Sequence, residues 1–318
     1  MSDDTPWLVA DVGGTNIRLA LADGPGAPPR DIRAYKDEDY PDIGAVIAAY
    51  LAAVGEAPRA ACVAVAGPVV GAVIKLTNRG WQIDIAALRR RFALSRLLVI
   101  NDFEALALAL PSLDSGMLAP VGGGKAMAGK AMAVLGPGTG LGVAGLMPVG
   151  ARWVPIPGEG GHVNFAAGDA REIEILRLLR QRFERVSAER VLSGPGLANL
   201  FEALVALDGS REETPAPDAI TAGALDGSSP TCRAALELFC AFLGSFAGDV
   251  ALTFGAQGGV FIAGGIAPRI LPFLAASRFR ARFEDKGRIR PMMAAIPTSV
   301  ITAPLPAFPG TIRKLEQG

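Results

Sequence analysis

Two glycine-rich segments, each with one threonine, have residue types suited to binding phosphate. Residues 11–16 read Asp-Val-Gly-Gly-Thr-Asn, and residues 136–140 read Gly-Pro-Gly-Thr-Gly. Glycines let backbone N–H groups approach an anion closely, and a threonine hydroxyl adds a donor. A plain hairpin turn would explain either segment alone. Because the same chemistry occurs twice, we expect the two segments to grip one phosphate chain. The candidate residues are Asp11, Gly13, Gly14, Thr15, Asn16, Gly136, Gly138, Thr139 and Gly140.

Two other nucleotide-binding motifs do not fit this sequence. Residues 140–145 match the dinucleotide fingerprint Gly-x-Gly-x-x-Gly, but Leu146, Met147 and Pro148 continue a strand where that motif must open a helix. The Walker phosphate loop is excluded as well, because neither segment ends in Gly-Lys-Ser or Gly-Lys-Thr.

Asp102 is the candidate general base. It follows Asn101 at the carboxyl end of a predicted strand, 97–100, and precedes a predicted helix that Pro111 ends. A carboxylate in this place could take the proton of a hydroxyl that attacks a phosphoryl group. Aspartate is also a good helix N-cap, so the residues alone leave both roles open.

A third polar segment, residues 158–164 (Gly-Glu-Gly-Gly-His-Val-Asn), has acceptors and donors that could hold several sugar hydroxyls. His162 is the single histidine of the chain. A lone histidine is more often structural, but Glu159 nearby on a glycine loop favours binding. We predict no metal site here, because a metal would need further ligands beside His162. Glu189, taken by itself, is typical of an exposed helix start.

Gly264 and Gly265 directly follow a predicted strand, 259–263. Their missing side chains could leave room for a purine or a ribose, or could let the strand and the next helix pack closely. The residues alone allow both interpretations.

The elements that must position these residues alternate between strands and helices, which predicts an α/β fold. Residues 207–230 are predicted as a surface connection or a short irregular helix, and the proline-rich tail as a strand, 299–302, followed by an extended arm. The other predicted strands are 7–10, 17–22, 61–66, 131–135 and 141–146, and the other predicted helices are 42–54, 85–92, 171–185, 197–207 and 232–254.

Composition restricts the partners and the compartment. Lys plus Arg and Asp plus Glu both number 31, so a nucleic-acid partner is not expected. Three widely spaced cysteines in apolar surroundings indicate buried thiols in a reducing compartment. The N-terminus lacks a secretory signal, and the most apolar helix carries Arg233, Glu237 and Asp249. We therefore expect a cytoplasmic protein with no membrane partner.

In this order along nearly the whole chain, the segments resemble the bacterial glucokinase family, within the larger group of sugar kinases, actin and heat-shock chaperone ATPases. Residues 11–18 and 135–142 resemble its two phosphate loops, and residues 101–105 its catalytic segment. Residues 261–267 resemble the adenosine segment, and residues 158–165 and 189–196 the more specific glucose-contacting segments. Residues 77–81 are similar to a loop near the sugar, but the match is loose.

The resemblance implies an ATP-dependent kinase that phosphorylates the 6-hydroxyl of glucose, with Asp102 as base. Thr15 and Thr139 would face phosphates. Magnesium would arrive with ATP and be oriented through water by Asp11, without a dedicated metal site. The implied sugar-binding residues are Asn101, Glu159, His162 and Glu189.

The implied fold is a two-lobed actin-like ATPase (ribonuclease H-like) fold with a central interlobe cleft. Residues 1–111 and 299–318 would form the small α/β lobe, and residues 112–298 the large α/β lobe. A homodimer is expected. Two alternatives stay open: a kinase for another hexose or for an acyl substrate, and a catalytically silent, sugar-responsive regulatory protein on the same fold.

Overall fold

The computed structural model of the protein describes residues 5–76 and 80–317. Strands alternate with helices in both halves, which confirms the predicted α/β class. The strands are β1 (Trp7–Val12), β2 (Asn16–Ala22), β3 (Arg30–Lys36), β4 (Ala60–Val65), β5 (Val73–Lys75), β6 (Gln82–Asp84), β7 (Arg96–Asn101), β8 (Leu118–Gly122), β9 (Met132–Pro137), β10 (Leu141–Val149), β11 (Arg152–Gly158), β12 (Val260–Ile262) and β13 (Thr298–Ile301). The α-helices are α1 (Ile43–Val54), α2 (Ile85–Arg91), α3 (Asp102–Ala109), α4 (Ala170–Arg182), α5 (Gly194–Asp208), α6 (Pro217–Leu225), α7 (Pro230–Phe254), α8 (Leu271–Ala276), α9 (Phe279–Glu284), α10 (Arg290–Ala295) and α11 (Ala307–Gln317).

Two sheets carry the candidate site residues. The first has the order β3-β2-β1-β4-β7, and the second has the order β11-β10-β9-β12-β13-β8. In the first sheet β1, β4 and β7 are parallel, whereas β2 runs antiparallel to β1. In the second sheet β9, β12 and β13 are parallel, and β10 is antiparallel to β9. Ligands of open α/β sheets bind beyond the carboxyl ends of the parallel strands, so these ends are where the site should be sought.

The chain divides into two compact units. Unit 1 comprises Met1–Asp114, Val149–Pro157 and Ala303–Gly318, and unit 2 comprises Ser115–Pro148 and Gly158–Thr302. Residues 149–157, which include the turn after β10 and most of β11, were expected in the large lobe but group with unit 1. Strand β13, of which residues 299–301 were expected in the small lobe, groups with unit 2 because it pairs with β12 and β8.

The tail prediction was wrong after its strand. Residues 307–317 form helix α11 and not an extended arm. The prolines caused the error, because Pro306 precedes the helix and Pro309 lies in its first turn. The first-turn N–H groups have no partner within a helix, so a proline there costs no hydrogen bond.

Helix α11 packs closely against α3 within unit 1. A Cβ atom added at Gly310 would lie 1.7 Å from the carbonyl oxygen of Ala105, so the two backbones meet with no room for a side chain. Lys314 Nζ donates a hydrogen bond to Glu104 Oε1 at 2.7 Å on the same face. The contact holds α3, whose first residue is Asp102, against the rest of the unit.

Helix α7 is the central helix of unit 2. Among the described residues it is the one helix long and apolar enough to cross a membrane by length and composition, but 72% of its most apolar window is buried within the fold. It packs against α5, α6 and α9. This burial agrees with the interpretation of this segment as a core helix.

Candidate functional site

The first candidate loop and Asn101 lie at one edge of the unit 1 sheet. The pairing register sets Val12 opposite Val65, and Val65 opposite Asn101. Adjacent strands are about 4.8 Å apart, so the ends of β1 and β7 are roughly 10 Å apart. Both predicted segments therefore emerge at the carboxyl ends of parallel strands, on the same side of unit 1.

The first loop is a tight, accessible hairpin tip. Gly13 N donates to Asn16 O at 3.0 Å and closes the turn between β1 and β2. Gly14, Thr15 and Asn16 are exposed. Their backbone and hydroxyl groups can therefore reach a ligand, as a phosphate loop requires.

Asp11 lies at the base of this loop, and its carboxylate Oδ2 is 3.7 Å from Arg18 Nη1 on the neighbouring strand. Burial raises the pKa of Asp11 above its ordinary value, and the attraction of Arg18 opposes that shift. A divalent cation beside the loop would favour the charged carboxylate. Within the described ranges no three His, Cys, Asp or Glu residues cluster as metal ligands. A single carboxylate suits Mg²⁺ that is held mainly by nucleotide phosphates and water.

Asn101, and not Asp102, has the N-cap position of α3. Asn101 Oδ1 accepts hydrogen bonds from Phe103 N at 2.8 Å and Glu104 N at 3.3 Å, and its Nδ2 donates to Gly67 O at 3.1 Å. Asp102 is the first helical residue, half-buried, and its Oδ1 also accepts from Phe103 N at 3.0 Å. The capping role that Asp102 could have had is thus filled by its neighbour.

The second loop, in unit 2, is closed by a hydrogen bond from Gly138 N to Gly140 O at 2.8 Å, and Thr139 is exposed at its tip. Gly136 is not part of this tip. It lies in β9, buried against β12, where an added Cβ would be 2.7 Å from the Ala263 carbonyl carbon. The exposed loop is therefore shorter than the sequence segment suggested.

Gly264 and Gly265 differ in their surroundings. Gly264 has a φ of +84°, and a Cβ there would lie 2.3 Å from Pro137 O. Close backbone packing thus accounts for Gly264. A Cβ at Gly265 would meet nothing within 4 Å, so open space adjoins the second residue only. Of the two interpretations left open by the sequence, close packing therefore fits Gly264, and room for a ligand fits Gly265.

Glu189 contacts the second loop directly. It lies on a 3₁₀ turn, Ala188–Arg190, and its Oε2 accepts a hydrogen bond from Leu141 N at 2.9 Å. A Cβ at Gly140 would be 2.6 Å from this oxygen. Gly194 N also donates to Gly138 O at 2.8 Å. The segment that carries Glu189 is thereby joined to the loop at two points.

Glu159 and His162 lie on a neighbouring loop of unit 2. Their side chains are 57% and 56% exposed, with His162 Nε2 4.0 Å from Glu159 Oε2, which leaves both open to a ligand. Ala188 N donates to Val163 O at 2.9 Å, so this loop runs beside the Glu189 segment. Unit 2 therefore brings together three of the predicted sugar-binding residues and the second loop.

The whole chain matches known glucokinases. The glucokinase family model matches residues 8–318. The chain is 49% identical over 311 residues to a glucokinase of Chromobacterium violaceum, covering 98% of this chain and 89% of that protein. The chain belongs to the glucokinase family. The crystal structure of a glucokinase from an Antarctic psychrotroph superposes with a TM-score of 0.91 at 36% identity, covering 100% of both chains.

A more distant glucokinase, from Balamuthia mandrillaris in complex with glucose, superposes with a TM-score of 0.78 at 22% identity, covering 99% of this chain and 94% of that chain. These neighbours confirm the actin-like ATPase fold expected from the sequence. The predicted resemblance to the glucokinase family is confirmed by the family match itself.

Several contacts of this glucokinase-family chain were not predicted from its sequence. Arg185 Nη1 donates to Asn164 Oδ1 at 3.2 Å and to the His162 carbonyl, and so anchors the loop that carries Glu159. Ser193 caps α5 through Gly196 N at 2.9 Å. A serine before Gly-Pro-Gly was a usable capping signal. Of the loosely matching loop 77–81, residues 77–79 lie outside the described residues.

Proposed function

We propose that this chain is an ATP-dependent glucokinase, which transfers the γ-phosphoryl group of ATP to the 6-hydroxyl of glucose and yields glucose 6-phosphate and ADP. The full-length match to glucokinases at 49% identity carries this proposal. The location of Asn101 and the first loop at one sheet edge supports it independently.

The nucleotide is proposed to use both loops. Gly13, Gly14, Thr15 and Asn16 of the first loop, and Gly138, Thr139 and Gly140 of the second, would donate backbone and hydroxyl hydrogen bonds to phosphate oxygens. Exposure of Thr15 and Thr139 supports this role. The open space beside Gly265 would receive the adenosine, whereas Gly136 and Gly264 act by letting β9 and β12 approach.

The sugar is proposed to be held by Asn101, Glu159, His162 and Glu189. Asn101 Nδ2 has two hydrogens and donates one to Gly67 O, so the second can donate to a sugar hydroxyl. The carboxylates of Glu159 and Glu189 would accept from hydroxyls through charge-assisted hydrogen bonds. These four residues fix which hydroxyl is presented for transfer.

Asp102 is proposed as the general base. As the 6-oxygen bonds to the γ-phosphorus, the bond from that phosphorus to the β,γ-bridging oxygen breaks, ADP leaves, and Asp102 takes the hydroxyl proton. The first turn of α3 favours a negative charge at Asp102, because its amides point toward the helix start. Such a base typically contributes about 10²- to 10⁴-fold in rate.

Mg²⁺ would neutralise charge on the transferring phosphates when bound with ATP. Asp11 would orient it through water, and Arg18 would keep the Asp11 carboxylate in place at the base of the first loop. We further propose a two-lobed enzyme, a homodimer, and a cytoplasmic location. The three cysteines, which are free and buried, support a reducing compartment.

ADP release with a panel of acceptors tests the function. Purified protein is incubated with Mg-ATP and glucose, mannose, fructose, acetate or no acceptor, and ADP is measured by a coupled assay. We expect release with glucose far above the release without acceptor. Release with another hexose or acetate but not glucose would replace the proposed substrate, and no release with any acceptor would end the kinase proposal.

A further inference from the structure

Glu189 makes a hydrogen bond to the second loop that binding of the sugar alone would not require. Its carboxylate oxygen Oε2 accepts from Leu141 N at 2.9 Å, across 48 residues of chain, where the second loop enters β10. Glu159, the other carboxylate proposed for the sugar, has no such hydrogen bond to the loop among the described contacts, and its side chain is 57% exposed.

The loop leaves room for this carboxylate. A Cβ at Gly140 would lie 2.6 Å from Glu189 Oε2, which is closer than any allowed contact. Gly140 does not have a left-handed φ, so backbone conformation alone does not demand glycine there. Glycine at position 140 leaves the space through which the Glu189 carboxylate reaches Leu141 N.

The Glu189 segment is itself rigidly held. Ser193 Oγ donates to the Glu189 carbonyl at 2.8 Å and accepts from Gly196 N at 2.9 Å at the start of α5. Gly194 N reaches Gly138 O at 2.8 Å. A helix start, the Glu189 carboxylate and the phosphate loop thus form one hydrogen-bonded assembly in unit 2.

We infer that Glu189 is a positioning residue for the second phosphate loop, so that one carboxylate serves both the hexose and the nucleotide. One carboxylate oxygen orders the loop by fixing Leu141 N, and the other is available to a sugar hydroxyl. The inference rests on the proposed function for its premise that this loop binds phosphate.

The test compares two identical chemical changes, Glu189→Gln and Glu159→Gln, in protein without sugar. Calorimetry measures the Kd for Mg-AMPPNP, a non-hydrolysable ATP analogue. We expect Glu189→Gln to weaken AMPPNP binding about 5- to 10-fold, because a charge-assisted hydrogen bond that orders the loop becomes a neutral one. Glu159→Gln should leave that Kd unchanged. Equal AMPPNP affinity for both variants and the wild type would overturn the inference.

Hydrogen exchange provides a readout that needs neither nucleotide nor turnover. In the wild type the Leu141 amide should exchange more slowly than an exposed loop amide, and in Glu189→Gln it should exchange several-fold faster. Exchange of the wild-type Leu141 amide at the rate of an exposed amide would contradict the proposed contact, even if the variant failed to fold.

A double-mutant cycle separates this contact from general damage to the loop. Gly140→Ala should displace the carboxylate by itself, so adding Glu189→Gln should weaken AMPPNP binding no further. If the two substitutions instead raised the Kd for AMPPNP independently, so that their fold-changes multiplied in the double variant, the link between the two residues would be refuted. None of these measurements contains sugar. A negative result in them would therefore overturn the inference about Glu189 without bearing on glucose phosphorylation. A lack of ADP release with glucose would overturn the proposed function, but the contact between Glu189 and Leu141 N could still be tested.

Discussion

Asn101 holds three backbone groups at once, and replacing it with alanine should cost stability in an amount that follows from its contacts. Its Oδ1 caps α3 through Phe103 N and Glu104 N, and its Nδ2 donates to Gly67 O. Loss of an N-cap typically costs about 1 kcal/mol. Loss of the link to Gly67 adds about 1 kcal/mol. Asn101→Ala should therefore lower the free energy of unfolding by about 2 kcal/mol.

One further variant separates the contribution of the N-cap from that of the hydrogen bond to Gly67 O, and a second variant serves as a control. Asn101→Asp keeps the capping oxygen and removes the donor, so it should cost about 1 kcal/mol. Asp42→Ala is a matched control, because Asp42 Oδ1 caps α1 through Ala45 N at 2.8 Å and lies outside the proposed site. It should also cost about 1 kcal/mol, with turnover unchanged.

Urea unfolding followed by tryptophan fluorescence reports on unit 1, because Trp7, Trp81 and Trp153 all belong to that unit, and the ADP assay reports on turnover. Both Asn101 variants should also raise the KM for glucose, since each removes the proposed Nδ2 donor. An Asn101→Ala protein no less stable than Asp42→Ala would refute the role assigned to the Gly67 link. Unchanged glucose KM in Asn101→Asp would remove Asn101 from the sugar site.

Other predictions address the base, the sugar pocket, the helix contact and the thiols. Asp102→Ala should lower kcat about 10²- to 10⁴-fold while glucose binding measured by calorimetry survives; near-normal turnover would exclude it as the base. Glu159→Gln should weaken glucose binding about tenfold, and an unchanged glucose Kd would contradict the pocket. Gly310→Ala should lower the free energy of unfolding by about 1–3 kcal/mol, since its Cβ would overlap Ala105 O; wild-type stability would show that α11 can shift freely. Burial raises the pKa of Cys240 to about 12, so it should resist alkylation at pH 8 until urea unfolds the protein; rapid labelling of native protein, located by mass spectrometry, would contradict its burial.

Sequence reasoning succeeded where the structure is determined locally. The two segments with glycine and threonine do form tight turns between adjacent strands, and Asn101 and Asp102 do lie where β7 ends and α3 begins. The binding and catalytic roles of these residues stay predictions. The α/β class followed from alternating periodicity. These features depend on neighbouring residues, whose spacing the sequence displays directly.

Contacts between distant segments could not be predicted in the same way. The hydrogen bond from Leu141 N to Glu189 joins residues 48 apart, and no local pattern marks it. The two glycines after β12 look alike in sequence, yet only Gly264 is packed against β9. Which of Asn101 and Asp102 is the cap depends on the residue at which the backbone becomes helical, and both residue types cap well.

The docking of α11 on α3 has a consequence for biosynthesis. Unit 1 contains both the N-terminal segment and residues 303–318, so α11 leaves the ribosome only after all of unit 2 has been made. Until then the face of α3 around Ala105 lacks its covering helix. That surface of the nascent chain is therefore exposed, and prone to aggregation, throughout the synthesis of unit 2. Folding of unit 1 can be completed only after α11 has been synthesised.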